Sequence, residues 1–301
     1  MDFSIVTPSF RQPEWLRLCL LSVSDQARGC YSPDSRGREE GELQVEHVVQ
    51  DACSGEDVRR LCAEFPLVRL YQERDAGMYD AVNRGLRRTS GAICAYLNCD
   101  EQYLPGALRA VRDYFLRNPE IDVVFGDVVV IDEEGRYICS RQVVRPTPLH
   151  TQLCQLNTFT AAMFFRRTVL TREGLFFDDR WRNVGDVVWV LNALRRGVRV
   201  GVMRRYLAAF VDTGANLNLS GESDEEKRNL RQAAPSWARQ LTPVWLSLYR
   251  IRRLFHGLYW PCPFEYEVYA ASERQEQRIK FEVTSPTPFW RSRWSPRQAL
   301  Q

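Results

Sequence analysis

Two groups of carboxylates stand where this sequence could do chemistry. Asp51 follows the apolar run Val45 to Gln50, and Asp100 with Glu101 follows Ala92 to Asn98. In an open α/β sheet, ligands bind outside the carboxyl ends of the strands, so acids placed just past strand ends converge on one edge. A lone Asp51 also has an ordinary reading as a loop or helix-entry acid. Asp100 and Glu101 beside Asn98 offer hard oxygen donors suited to Mg2+ or Mn2+, and an ion there could neutralise a diphosphate leaving group.

Other chemistries find less support. The nine cysteines form no CxxC pair and no Cys/His cluster with metal-ligand spacing, so they read as reduced cytosolic thiols. With histidine only at His47, His150 and His256, a cysteine nucleophile with a histidine base has little to draw on. No GxGxxG follows the first strand, and neither a GxxxxGK[ST] loop nor a GxSxG elbow occurs. These absences argue against a Rossmann dehydrogenase and a P-loop NTPase. A nucleotidyltransferase would need a glycine-rich phosphate loop that Val6-Thr7-Pro8-Ser9-Phe10-Arg11-Gln12 lacks.

The acids must be positioned by a scaffold, and the first half of the chain reads as alternating strands and helices. Phe3 to Thr7 is a buried strand, followed by a helix from Pro13 to about Gln26 with Leu16, Leu20 and Val23 on one face. Strands follow at 45–50 and 68–73, the helix between them having Ser54 and Asp57 spaced as a capping box. A helix over 80–90 and a strand over 92–98 repeat the pattern. This alternation predicts an α/β fold with a mainly parallel sheet covered on both faces. The polar stretch 28–42 reads as a surface loop insertion. Beyond Pro105 come a helix to Asn118, an antiparallel hairpin turning at Glu133-Glu134-Gly135, a strand over 159–165 and a helix over 184–196.

Composition bounds the rest. With 301 residues, 41 Lys+Arg against 38 Asp+Glu and a net charge of +3, the chain can bury a sizeable core and is no bulk nucleic-acid binder. Asp2 and Pro8 break the pattern of a signal peptide, and no apolar window approaches membrane-spanning length. From about Ser220 the composition changes. Residues 242–260 mix Trp245, Leu248, Tyr249, Leu254, Tyr259 and Trp260 with Arg250, Arg252 and Arg253. That mixture suits either an interfacial helix facing anionic lipid or a helix packed on the main domain with its arginines in solvent.

Two stretches resemble family 2 glycosyltransferases, which share the nucleotide-sugar-binding GT-A fold. They are Ser4 to Gln26, and Gln72 to Glu101 with its Asp75-Ala76-Gly77-Met78-Tyr79-Asp80-Ala81-Val82-Asn83-Arg84-Gly85 core and Leu97-Asn98-Cys99-Asp100-Glu101 end. The resemblance covers roughly residues 3 to 210. It implies a Rossmann-like GT-A catalytic domain over 1–215 and a helical, aromatic- and arginine-rich extension over 216–301. It implies donor contacts from Thr7, Pro8, Ser9, Asp51, Asp75, Gly77, Met78, Asn83, Asn98 and Cys99. Asp100 matches the second acid of the family's metal motif and is the implied ligand of Mg2+ or Mn2+; Asn98 stands in place of the first acid. Asp186, in Asn183-Val184-Gly185-Asp186, matches the acid that serves as catalytic base, beside its ordinary reading as an acid complementing a helix dipole. Relatives often carry His-Gln before Phe164-Phe165-Arg166-Arg167, whereas this chain has Thr160-Ala161-Ala162-Met163, which implies an altered acceptor pocket.

The resemblance therefore implies an inverting, cytoplasmic glycosyltransferase. It would move a sugar from a nucleoside diphosphate donor to a glycan or lipid-linked acceptor, as in cell-surface polysaccharide synthesis, with peripheral contact at the inner membrane face. The alternative is a catalytically silent nucleotide-sugar-binding protein of the same fold, suggested by Asn98.

Overall fold

The computed structural model describes residues 1–27, 42–154, 157–213, 221–270 and 277–290. The expected insertion therefore lies almost wholly outside the described residues, as does Cys30. The first half follows the sequence pattern closely: β1 (Phe3–Ser9), α1 (Pro13–Ala27), β2 (Val45–Asp51), α2 (Glu56–Ala63), β3 (Val68–Gln72), α3 (Met78–Arg87) and β4 (Ile93–Tyr96). A short β5 (Glu101–Tyr103) precedes α4 (Ala107–Arg117) and the hairpin of β6 (Val123–Ile131) and β7 (Tyr137–Arg141). Then come α5 (Pro148–Leu153), a 3-10 turn at Thr160–Ala162, β8 (Met163–Arg166), α6 (Thr168–Thr171), α7 (Gly185–Arg195) and β9 (Val200–Val211).

Nine strands form one sheet in the order β3-β2-β1-β4-β8-β6-β9-β5, with β7 against β6. β3, β2, β1, β4, β6 and β9 run in one direction, while β8, β5 and β7 run against them. Every residue of β1, β2 and β6 is buried, as strands covered on both faces must be. Strand alternation then sorts the core into two layers. Phe3, Ile5, Ala95 and Val124 meet α1 and α4 through Val23, Leu108 and Val111. Val6, Tyr96 and Phe125 meet α3 and α7 through Val82, Leu86 and Trp189.

Three local expectations change. α2 starts after Gly55 with no side-chain cap, because the Ser54 hydroxyl donates to Asp51 instead. The strand expected over 159–165 begins only at Met163, its first part being the 3-10 turn. β9 is an element absent from the sequence reading, since Arg204-Arg205 interrupts its apolar run. There the register against β6 slips, from Gly126 opposite Met203 to Asp127 opposite Tyr206.

The C-terminal part has the expected helices, α8 (Gly221–Gln232), α9 (Ser236–Gln240) and α10 (Thr242–Phe255), and in addition an antiparallel pair, β10 (Phe264–Val268) with β11 (Ile279–Val283). Tyr266, Val268 and Val283 bury against Val129, Ile131, Ala209 and Val211. α10 turns Trp245, Tyr249 and Arg253 inward: Trp245 joins Leu149 and Leu153, Tyr249 stacks on His150, and Arg253 is buried against carbonyls of Gln142 and Leu258. Leu248 and Leu254 face outward, against the packed-helix alternative for these two residues, as does Arg250. No helix among the described residues is long and apolar enough to cross a membrane.

Candidate active site

One cavity of about 1410 Å³ opens at the carboxyl end of the parallel strands. Pro8 and Ser9, ending β1, form part of its wall, and the buried Ser9 hydroxyl has no partner among the described residues. Thr7 sits one residue too deep. Its hydroxyl is engaged with His47 Nε2 at 2.8 Å, and burial holds His47 neutral with its pKa lowered to about 3.

Asp51 ends β2 but does not line the cavity. It is fully buried, and its carboxylate accepts the Ser54 hydroxyl at 2.5 Å, the Ser54 N–H at 2.8 Å and the Gln72 amide at 3.2 Å. Asn83 is likewise absent from the wall. Its amide donates to the Phe177 carbonyl and accepts the Phe177 N–H, fastening α3 to the loop before α7.

The turn into α3 does face the cavity, with Asp75, Gly77 and Met78 on its wall. Gly77 has φ 130°, a backbone state that side chains disfavour, and its N–H donates to Asp75 at 3.0 Å. Burial pushes the Asp75 carboxyl upward, opposed by that N–H.

After β4, Asn98, Cys99 and Asp100 reach the cavity together. Cys99 donates its thiol to Gln12 at 3.0 Å. Glu101 lines the cavity too, and its carboxylate accepts the Asn98 N–H at 2.9 Å, so it also shapes the loop. Burial raises both the Asp100 and Glu101 carboxyls, and the Asp100 charge raises Glu101 further. The Asn98 Oδ1 is buried without a partner among the described residues. That orphaned oxygen beside a carboxylate suits a hard divalent ion. Among the described residues no three His, Cys, Asp or Glu gather into a metal site, so the donor set fits an ion shared with substrate phosphates, the usual mode for Mg2+.

Asp186 occupies the first turn of α7 on the same cavity. Its Oδ1 accepts the Val187 N–H at 2.8 Å and the Tyr79 hydroxyl at 3.3 Å, while Tyr79 accepts the Asp186 N–H at 3.1 Å. Burial raises its pKa to about 6, with these two donors opposing. A carboxylate so tuned is ionised at neutral pH yet basic enough to take a proton from a hydroxyl. The loop before it hangs on α8: Glu226 accepts the backbone N–H groups of Arg182, Asn183 and Val184 at 2.8, 2.8 and 3.1 Å.

The cavity thus unites Pro8, Ser9, Asp75, Gly77, Met78, Asn98, Cys99, Asp100 and Asp186, and leaves out Thr7, Asp51 and Asn83. Residues that sequence reasoning did not single out also line it, among them Tyr79, Thr158, Phe159, Lys227 and Trp290. Tyr79 lay inside the motif already noted; Thr158 precedes and Phe159 begins the strand expected over 159–165, and Lys227 and Trp290 come from the C-terminal part without a shared signature.

Comparison with known proteins agrees with this architecture. A PGL/p-HBAD biosynthesis glycosyltransferase of Mycobacterium bovis (strain BCG / Pasteur 1173P2) is 24% identical over 215 residues, spanning 69% of this chain and 75% of that protein. Among solved structures, S. aureus TarS 1-349 in complex with UDP-GlcNAc superposes with a TM-score of 0.60 at 15% identity, covering 76% of this chain. This chain spans 64% of that TarS chain. A structure of S. aureus TarS matches with a TM-score of 0.56 at 13% identity, over 93% of this chain and 60% of that one. The sequence profile of Glycosyl transferase family 2 matches residues 4–176, more than half of the chain. With the GT-A arrangement of its sheet, the chain belongs to glycosyl transferase family 2.

Proposed function

We propose that this protein is an inverting glycosyltransferase that moves a sugar from a nucleoside diphosphate donor to a hydroxyl of a glycan or lipid-linked acceptor. The observation that carries this reading is that Asp186 lines the same cavity as Asp75 and Asp100. Pro8, Ser9 and the Asp75–Met78 turn receive the nucleotide, and the Asn98–Asp100 loop receives its diphosphate. Mg2+ or Mn2+ held by Asp100 and Asn98 with the diphosphate would neutralise charge on the leaving group. Asp186 takes the proton of the acceptor hydroxyl as its oxygen bonds to the anomeric carbon. The bond from that carbon to the diphosphate breaks on the opposite face, and the diphosphate leaves with the electron pair. One displacement inverts the configuration.

No histidine competes for the role of base in the described cavity, because His47 and His150 are buried off its wall with pKa values lowered to about 3 and about 4. The relative with UDP-GlcNAc bound puts uridine diphosphate sugars first in a donor panel. Donor hydrolysis and transfer measured with Mn2+ test the reading. Metal-stimulated turnover lost in Asp100→Ala and Asp186→Asn supports it. Donor binding without turnover under every condition would favour the silent-binder alternative.

We further propose that the protein lies at the cytoplasmic membrane face through α9 and α10. Val244, Leu248, Ile251 and Phe255 follow one another at helical spacing and are 46%, 46%, 45% and 85% exposed. Trp237 and Leu241 are exposed beside them. Residues 233–264 contain no acid, while Arg239 and Arg250 are exposed. Anionic headgroups complement such a face.

A further inference from the structure

The cavity is larger than the ≈ 300–1,000 Å³ of an ordinary ligand pocket, and part of its wall has a chemistry of its own. Thr151 on α5 and Thr158 line the cavity; they are 1% and 5% exposed. Both hydroxyls are buried without a partner among the described residues. An unsatisfied buried hydroxyl costs roughly 1–3 kcal/mol, a cost that a ligand bearing matching polar groups removes.

Beside them stands an aromatic wall. The Phe159 and Phe210 rings meet edge to face at 5.4 Å, and the Trp290 indole packs on both at 6.2 and 5.5 Å. The Trp290 N–H donates to Asp212 at 3.0 Å, which fixes the indole plane. All three rings remain partly exposed and line the cavity. Phe210 pairs with Glu101 across β9 and β5, so the wall begins beside the acid loop.

We propose that this part of the cavity wall is an acceptor subsite for a sugar ring. The assignment rests on the transferase reading above. A sugar ring has an apolar face of C–H groups, weakly positive at hydrogen, which suits the negative face of an aromatic ring, and hydroxyls around its edge. Phe159, Phe210 and Trp290 supply the platform, and Thr151 and Thr158 supply the hydrogen-bond partners. Among the cations of the same cavity, Arg231 donates to the Cys154 carbonyl, Arg141 to that of Pro288, and Lys227 pairs with Asp224. On this assignment the hydroxyl delivered to Asp186 belongs to a sugar.

Saturation-transfer NMR on the wild-type chain tests this without turnover. The probes are UDP, GDP and the methyl glycosides of glucose, galactose, mannose, rhamnose and N-acetylglucosamine. At least one glycoside is expected to receive saturation on its ring protons, reduced at least fivefold in Trp290→Ala and in the near-isosteric Thr158→Val, with nucleotide signals unchanged. A glycoside signal in no case, or one that both variants leave intact, overturns the subsite while nucleotide binding stands. Loss of the UDP and GDP signals in the wild-type protein instead counts against the transferase reading itself.

Discussion

At the scale of single residues, Asp186 trades stability for reactivity. Its native pKa of about 6 exceeds the ordinary value of 3.8, so the folded state holds the proton more tightly than the unfolded chain. Ionisation therefore costs the fold stability as pH rises from about 4 to about 6, and the cost persists above that window. Asp186→Asn is expected to raise the melting temperature at pH 7, the gain being on the order of 1–2 kcal/mol, while reducing transfer at least a thousandfold and leaving donor affinity within twofold. Calorimetry and a transfer assay on the same preparation check this; unchanged turnover sinks the assigned role. In the wild type, kcat should fall as pH drops through about 6, since the base must be ionised. Chelation should abolish turnover and added Mn2+ restore it, and retained full activity in excess EDTA would remove Asp100 from the mechanism. Residue types alone marked Asp100 as a metal candidate. They could not show that Asp51 would be consumed by Ser54 and Gln72, because a carboxylate's partners depend on which backbone bends beside it.

Elements hold Asp186, the proposed base, through two unlike contacts. α3 reaches it by Tyr79, whose ring leaves no room for a side chain at residue 185: a Cβ on Gly185 would lie 2.5 Å from that ring. Gly185→Ala should destabilise the protein by roughly 1–3 kcal/mol, as overpacking does, read from denaturant midpoints. α8 reaches it from the C-terminal part by Glu226. Glu226→Ala strands three backbone N–H groups and should lower kcat about tenfold or more while donor KM moves less than twofold, because the proposed donor end lies on β1, α3 and β4. Equal effects on both constants would mean that the loop also holds the donor. The first half of the chain was legible as βα units, whose periodicities of two and 3.6 are local. β9 was not, because Arg204-Arg205 breaks the alternation where a bulge absorbs it. The dependence of the 182–184 loop on α8 was equally hidden, since Glu226 is 42 to 44 residues distant.

For the whole molecule, the C-terminal part divides its apolar residues between two faces. Trp245 and Tyr249 hold α10 to α5, and Val244, Leu248, Ile251 and Phe255 are left for another surface. Flotation with vesicles containing phosphatidylglycerol at low salt should carry the protein upward. Leu248→Glu with Ile251→Glu should remove that association without lowering the melting temperature, because neither side chain is buried. Each surface Arg contributes ≈ 1 kcal/mol near anionic lipid, so 0.5 M salt should release most of the bound protein. Absence of flotation at low ionic strength, or an equal response to neutral vesicles, would rule out the proposed membrane face.

What the sequence determined by itself was the repeating βα framework and the edge at which its acids emerge, because strand and helix periods and the end of an apolar run are properties of contiguous residues. What only the tertiary structure decided was which of those acids remain available to a ligand. Asp75, Asp100 and Asp186 come from three segments spread over more than a hundred residues, and their meeting on one cavity depends on sheet order and register. The inward turn of Tyr249 and Arg253 was decided there too. The pattern of α10 supplies enough apolar residues for two faces, and the side that becomes core is set by the α5 surface against which it packs.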